Sequence, residues 1–228
     1  LVYGYFWMIK ELQLTDEKPI LANENLIKED QAKVFPTLRG LQSVSGIYTD
    51  LPDHFVRKNR SHDAAAQCTL VAVSFREFGF QQLPSWLDPF QSEFEGKDRV
   101  EVVKLSIAAG WTSKWILKTV IQGYAKRNTP VEEHDRSFLY FGDKDLDSFR
   151  DSLRMHNILP GFVFLLDGLG RVRFAGSGTA SDEEARRLVK LTKQLVPLLH
   201  PPQHNGRIAG ENSSKSQSAP NIAQRRKR

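Results

Sequence analysis

Cysteine is almost missing from this chain: Cys68 is the only one in 228 residues. That count excludes an intrachain disulfide, a four-cysteine metal site and any exchange chemistry that needs a cysteine pair. Long apolar runs are missing too. Nothing approaches the roughly 20 residues needed to span a bilayer. Leu1 to Ile9 is apolar and aromatic but stops well short, and it reads as either an anchor remnant or a product of processing. The chain does not open on methionine, so no targeting address is read from this end.

Other chemistries are excluded by what is not at the right spacing. His54, His62, His134, His156, His200 and His204 never fall in the pattern of a metal-binding helix or finger. No Gly-x-Ser-x-Gly elbow occurs. Carboxylate pairs such as Glu132-Glu133 fall in expected loops and read as solvated charges. Gly176-Ser177-Gly178-Thr179 lies between a strand and a helix, as a phosphate cradle would, but it lacks the lysine of a P-loop and a third glycine. Asp182, Glu183 and Glu184 then fill the first helical turn, where they satisfy its positive end and would repel a phosphate. No cofactor and no metal is expected. Asn212-Ser213-Ser214 fits a glycosylation acceptor only formally.

Charge is also missing from the body. The net +5 is held entirely by residues 201–228, where Arg207, Lys215, Arg225, Arg226, Lys227 and Arg228 face Glu211 alone. The preceding residues balance to zero, which argues against a nucleic-acid-binding face on the fold. The closing Arg225-Arg226-Lys227-Arg228 reads as a solvated tail, with a nuclear signal or contact with anionic lipid as the alternatives.

What is there is a run of α/β elements. Leu70 to Phe75 predicts a buried strand. Pro84 opens a helix carrying Trp86, Leu87, Phe90 and Phe94 at helical spacing. Val100 to Ile107 is a second strand. Gly110 precedes a helix with Trp111, Trp115, Val120 and Tyr124. Phe138 to Phe141 is a third strand, and Asp143 or Asp145 caps a short helix with Leu146, Phe149 and Leu153. Phe162 to Leu166 is continuously apolar, Asp167-Gly168-Leu169-Gly170 turns, and Arg171-Val172-Arg173-Phe174 alternates as a half-buried strand. Ser181 with Glu184 makes a capping box for a final helix through Ala185, Leu188, Leu191 and Leu195.

The order is βαβαβαββα. Strands alternating with helices imply a parallel component, and the terminal hairpin makes the sheet mixed. Proline, strand, tight hairpin, strand, glycine and helix is the ending of a thioredoxin-like domain. The expected organisation is an N-terminal extension over 1–62, a thioredoxin-like domain over 63–199 and a disordered basic tail over 200–228. Within the extension, residues 1–17 read as an apolar stub, Glu24 to Lys33 as a short helix, and Ser43 to Asp53 as turn-rich and irregular.

Thioredoxin-type redox work needs a cysteine at the start of the first helix, where the helix dipole favours the thiolate. The connection from Ser74 to Ser85 has none, and Cys68 falls before the first strand, at the far end of the sheet. Its default role is a small packed residue. The aromatics are the remaining signal. Core packing is the default for Trp86, Trp111 and Trp115. The alternative is a partner surface. Phe78-Gly79-Phe80 is its best candidate, because two aromatics flanking a glycine in a loop are hard to bury. Trp86, Arg171 and Arg173 complete the candidate partner-binding set, and no catalytic residue is assigned.

Thr69 to Phe80, Pro84-Ser85-Trp86 with Pro89-Phe90, Val102 to Ile107, Trp111 with Trp115, and above all Gly161 to Gly178 resemble the mitochondrial ATP synthase assembly factor family called ATP-ten. The resemblance spans about residues 30–198, and Phe35-Pro36 fits it. It implies a thioredoxin-like protein without redox activity, held peripherally on the matrix side of the mitochondrial inner membrane. It implies a chaperone-like role, binding newly made subunit a of the proton channel and helping it join the ring of c subunits. The family supplies no catalytic residues to carry across, and the tail departs from its pattern. The competing expectation is a thiol-dependent thioredoxin- or peroxiredoxin-like enzyme using Cys68.

Overall fold

The computed structural model describes residues 2–58, 68–97, 99–108, 123, 125–127, 129–142 and 144–198. In chain order they form α1 (Val2–Leu14), β1 (Leu38–Ser43), β2 (Tyr48–Leu51), α2 (Asp53–Lys58), β3 (Cys68–Ser74), α3 (Glu77–Gln82), α4 (Pro84–Phe94), β4 (Val100–Ile107), a 3-10 turn (Val131–Arg136), β5 (Ser137–Tyr140), α5 (Leu146–Ser152), β6 (Phe162–Leu166), β7 (Val172–Ser177) and α6 (Asp182–Leu198). The expected helix through Trp111, Trp115, Val120 and Tyr124 lies outside the described residues, as do His62, Asp143 and the basic tail with His200 and His204.

The strands form one seven-stranded sheet in the order β2-β1-β5-β4-β3-β6-β7. β3, β4 and β5 are parallel neighbours, while β6 runs antiparallel to β3 and β7 antiparallel to β6. Every residue of β3 and β6 is buried. Both faces of these strands are covered, which is what their continuous apolar runs require. Alternate side chains feed two cores. Val71, Val73, Phe162 and Phe164 meet Phe35, Leu41 and Phe149 on one face. Leu70, Ala72, Val163 and Leu165 lie on the other, under Trp86 and Phe90 of α4 and Leu188 and Leu195 of α6. The arrangement is mixed α/β and thioredoxin-like: a parallel centre, an antiparallel hairpin and a closing helix.

Local rules explain the helix starts. Pro84 occupies the first turn of α4, where its missing N–H costs nothing. At α6 the Glu184 N–H donates to Ser181 Oγ (3.3 Å) and the Ser181 N–H donates to Glu184 Oε2 (2.8 Å), a reciprocal capping box. Lys18 also pairs with Glu184. Partial burial works against the ionised carboxyl, but the Lys18 and Ser181 hydrogen bonds outweigh it and hold Glu184 below the ordinary glutamate range.

The first 58 residues depart from expectation in three places. Residues 2–14 are helical rather than a stub. Glu24 to Lys33 is not a helix; it lies in the segment that runs along β7. There the Ile20 N–H donates to Ser177 Oγ (2.9 Å), Asn23 to the Ala175 carbonyl (3.2 Å), Ile27 to the Arg173 carbonyl (2.8 Å) and Phe35 to the Gly170 carbonyl (2.8 Å). A ten-residue helix is marginal alone, so bonds offered by an unpaired sheet edge win. Ser43 to Asp53 is not irregular either. It carries the turn and second strand of the β1–β2 hairpin, which passes through Gly46 at φ 101° and joins the sheet through β1 and β5.

A buried charge fastens this segment to the hairpin. Asp167 Oδ1 accepts the N–H groups of Leu169 and Arg171, both at 3.0 Å, and so shapes the β6–β7 turn. Its Oδ2 accepts from Arg171 Nε (2.7 Å) and Arg173 Nη1 (3.3 Å). Arg173 Nε donates to the Ile27 carbonyl at 2.7 Å. The expected half-buried strand is thus buried on both faces at Val172 and Arg173, because residues 20–35 cover it.

Two outcomes follow for stability. Asp167→Ala leaves the Arg173 charge buried without its partner and should cost about 3–5 kcal/mol in chemical denaturation; a loss under 1 kcal/mol contradicts this account. Glu184→Gln keeps the capping box but loses the charge, and should cost about 1 kcal/mol at pH 7. Because the folded carboxyl titrates below its ordinary 4.5, that stabilisation is complete above the ordinary value and is lost as pH falls through and below it. Denaturation curves of the two proteins should therefore converge in acid.

Candidate functional site

The site begins where the chain leaves β3. Phe78-Gly79-Phe80, expected in a loop, form the centre of α3. A side chain at Gly79 would put its Cβ 2.6 Å from the Pro160 carbonyl carbon and 2.7 Å from the Gly161 nitrogen. Only glycine lets α3 lie directly on that backbone. Gln82 completes the seam: the Gly161 N–H donates to its Oε1 (3.0 Å), and its Nε2 donates to Glu17 Oε2 (3.0 Å). With Gly79 turned inward, its neighbours turn out. Phe78 is 41% exposed and Phe80 51%.

Helix α1 borders this surface. Asn157 Nδ2 donates to the Met8 carbonyl (2.8 Å) and to Glu11 Oε2 (2.9 Å), so α1 is held against the segment before β6. Tyr5, Ile9 and Leu12 on one side and Phe78 and Leu159 on the other enclose a groove of about 430 Å3. Tyr5, Phe6 and Trp7 are more than half exposed. The sequence pattern does not mark them as surface residues. The signal is an aromatic run, but consecutive aromatics point to different sides of a helix and do not show which side will be covered.

The remaining candidates fall elsewhere. Trp86 is not on a surface: it is 1% exposed, its indole N–H donates to the Gly178 carbonyl (2.8 Å), and it meets Phe174 edge-on at 6.1 Å. Burying an indole with its N–H satisfied is a packing role. Arg173, 4% exposed, is committed to Asp167 and Ile27 and is likewise not a surface group. Arg171 is partly exposed and paired with Asp167 and Glu29. The structure therefore places Phe78 beside α1 and Phe80 on the other side of α3, toward α4 and β4, and separates Trp86, Arg171 and Arg173 from both as structural residues.

Cys68 is the first residue of β3 rather than a residue before it, and it is fully buried. Burial pushes its thiol far above its ordinary pKa; nearby Asp167 adds to this and Arg173 partly opposes it. A thiolate nucleophile needs the reverse environment. Among the described residues, no group of three His, Cys, Asp or Glu side chains is placed to hold a metal.

Comparison with known proteins adds the family. The profile described as "ATP10 protein" matches residues 1–195. Mitochondrial ATPase complex subunit ATP10 of Candida glabrata is 23% identical over 181 residues, covering 79% of this chain and 63% of the relative. The protein of the same name from Eremothecium gossypii is 21% identical over 182 residues, covering 78% and 63%. The chain thus spans under two thirds of the length of these curated relatives. Solved structures with a similar fold include BsSco, of the Sco family of cytochrome c oxidase assembly proteins (TM-score 0.49, 13% identity, 75% of this chain and 98% of that one). Another is a secreted thiol-disulfide isomerase from Corynebacterium glutamicum (TM-score 0.47, 10% identity, 78% and 93%).

The burial of Cys68 predicts that an aromatic disulfide reagent leaves the native thiol untouched and titrates it at once in denaturant. Rapid labelling of the folded protein would place the sulfur in solvent. Phe78→Ser with Phe80→Ser should shift stability by less than about 1 kcal/mol, against about 3–5 kcal/mol for Trp86→Ala, as read by thermal melts.

Proposed function

Because the chain belongs to the ATP10 protein family, we propose that it is a non-catalytic assembly factor for the membrane Fo sector of mitochondrial ATP synthase. In this reading it acts at the matrix face of the inner membrane, where it binds newly made subunit a and promotes its association with the c-ring. No helix among the described residues is long and apolar enough to cross a membrane; attachment in this scheme is peripheral.

The observation that carries the reading is where the fold exposes and where it buries. Aromatic side chains of α1 and α3 face solvent at one end of the domain, while the sole thiol is fully enclosed. An exposed apolar patch is a feature of surfaces that bind other molecules. The same burial weakens the competing reading, because a thiol enzyme using Cys68 would have no accessible nucleophile.

Removing the protein from mitochondria should leave the soluble catalytic sector assembled and reduce the intact, coupled synthase, as measured on native gels. Cross-linked affinity capture should recover subunit a. Restoration by a Cys68→Ala form is expected in full. Normal amounts of complete synthase without the protein would end the proposal.

A further inference from the structure

We infer that the groove between α1 and α3 receives the end of an apolar helical segment that terminates in lysine or arginine. This rests on the assembly-factor reading and adds the chemistry of what is held. The walls of the groove are mostly apolar: Tyr5, Ile9 and Leu12 recur at helical spacing as one stripe of α1, opposite Phe78 and Leu159. Its volume of about 430 Å3 falls in the span of clefts that enclose ligand groups.

Charge selects the occupant. The charged side chains lining the groove are Asp16 and Glu17, both acidic, directly after the end of α1. The neighbouring Lys18 is already taken by Glu184. The carboxyl end of α1, the negative end of its dipole, lies beside the same two residues. An apolar segment followed by acids would be repelled here, and one followed by bases is complemented. Basic residues just beyond an apolar span mark the inward-facing ends of membrane helices, so the occupant is of that class. A lipid surface is the poorer match, since anionic headgroups call for bases where the groove has acids.

The test uses the full chain and two fluorescent Leu/Ala helical peptides, one ending in Lys-Lys and one in Glu-Glu, read by anisotropy. At low salt the Lys-ended peptide should bind about tenfold tighter, and added salt should narrow the gap. Phe78→Ser should weaken both peptides. Asp16→Asn should narrow the gap only; asparagine suits the left-handed backbone at this position, φ 51°. Equal affinity for the two peptides, or indifference to Phe78→Ser, overturns the inference. So does tighter binding to phosphatidylcholine–cardiolipin vesicles, or a dimer by light scattering, when either is lost in Phe78→Ser. Failure to bind either peptide also overturns it, while capture of subunit a by the wild-type protein would still stand, so the two readings fail separately.

Discussion

The carboxylate of Asp167, taken wholly out of water, sets the terms for everything near it. An ion in that position has to be matched, and Arg173 matches it from the adjacent strand while reaching the Ile27 carbonyl beyond. The same carboxylate closes the β6–β7 turn through two backbone N–H groups. One side chain therefore joins the hairpin to the N-terminal segment. That segment covers the edge of β7 and delivers α1 to the place where α3 turns its aromatics outward. The surface proposed to bind a partner depends on a charge that the partner never meets.

Elements ruled by local chemistry were legible in the sequence. Pro84 announces α4, Ser181 and Glu184 announce α6, and the uninterrupted Phe162-to-Leu166 run announces a strand covered on both faces. Elements ruled by distant contacts were not. The β1–β2 hairpin makes sense only against β5, and residues 24–33 only against β7. Gly79 reads as a helix breaker until Pro160 and Gly161 are seen against it. Trp86 is a partner-surface candidate only as an interface-type aromatic and Arg173 only as a charge on one strand face, and each finds its partner inside, at Gly178 and Asp167.

The candidate surface was half legible for the same reason. Phe78 and Phe80 were found from their glycine, although in a helix rather than a loop. Tyr5, Phe6 and Trp7 were passed over, since nothing in a short apolar run says which side will be covered. Burial of Cys68 completes the contrast: the thiol that sulfur chemistry would need is sealed in the core beneath α4 and α6, while aromatic groups suited to association are left exposed.

Gly79 and Gly161 face each other across a seam with no clearance, each barring any side chain on the other. Drift at either position cannot be absorbed by trimming a neighbour, because the obstacle is main chain. A mutant methyl group would lift α3 as a body and swing Phe78 with it. Divergence among descendants of this chain is therefore channelled: an outward aromatic can be exchanged without disturbing the fold, but the two glycines that aim it must be inherited intact.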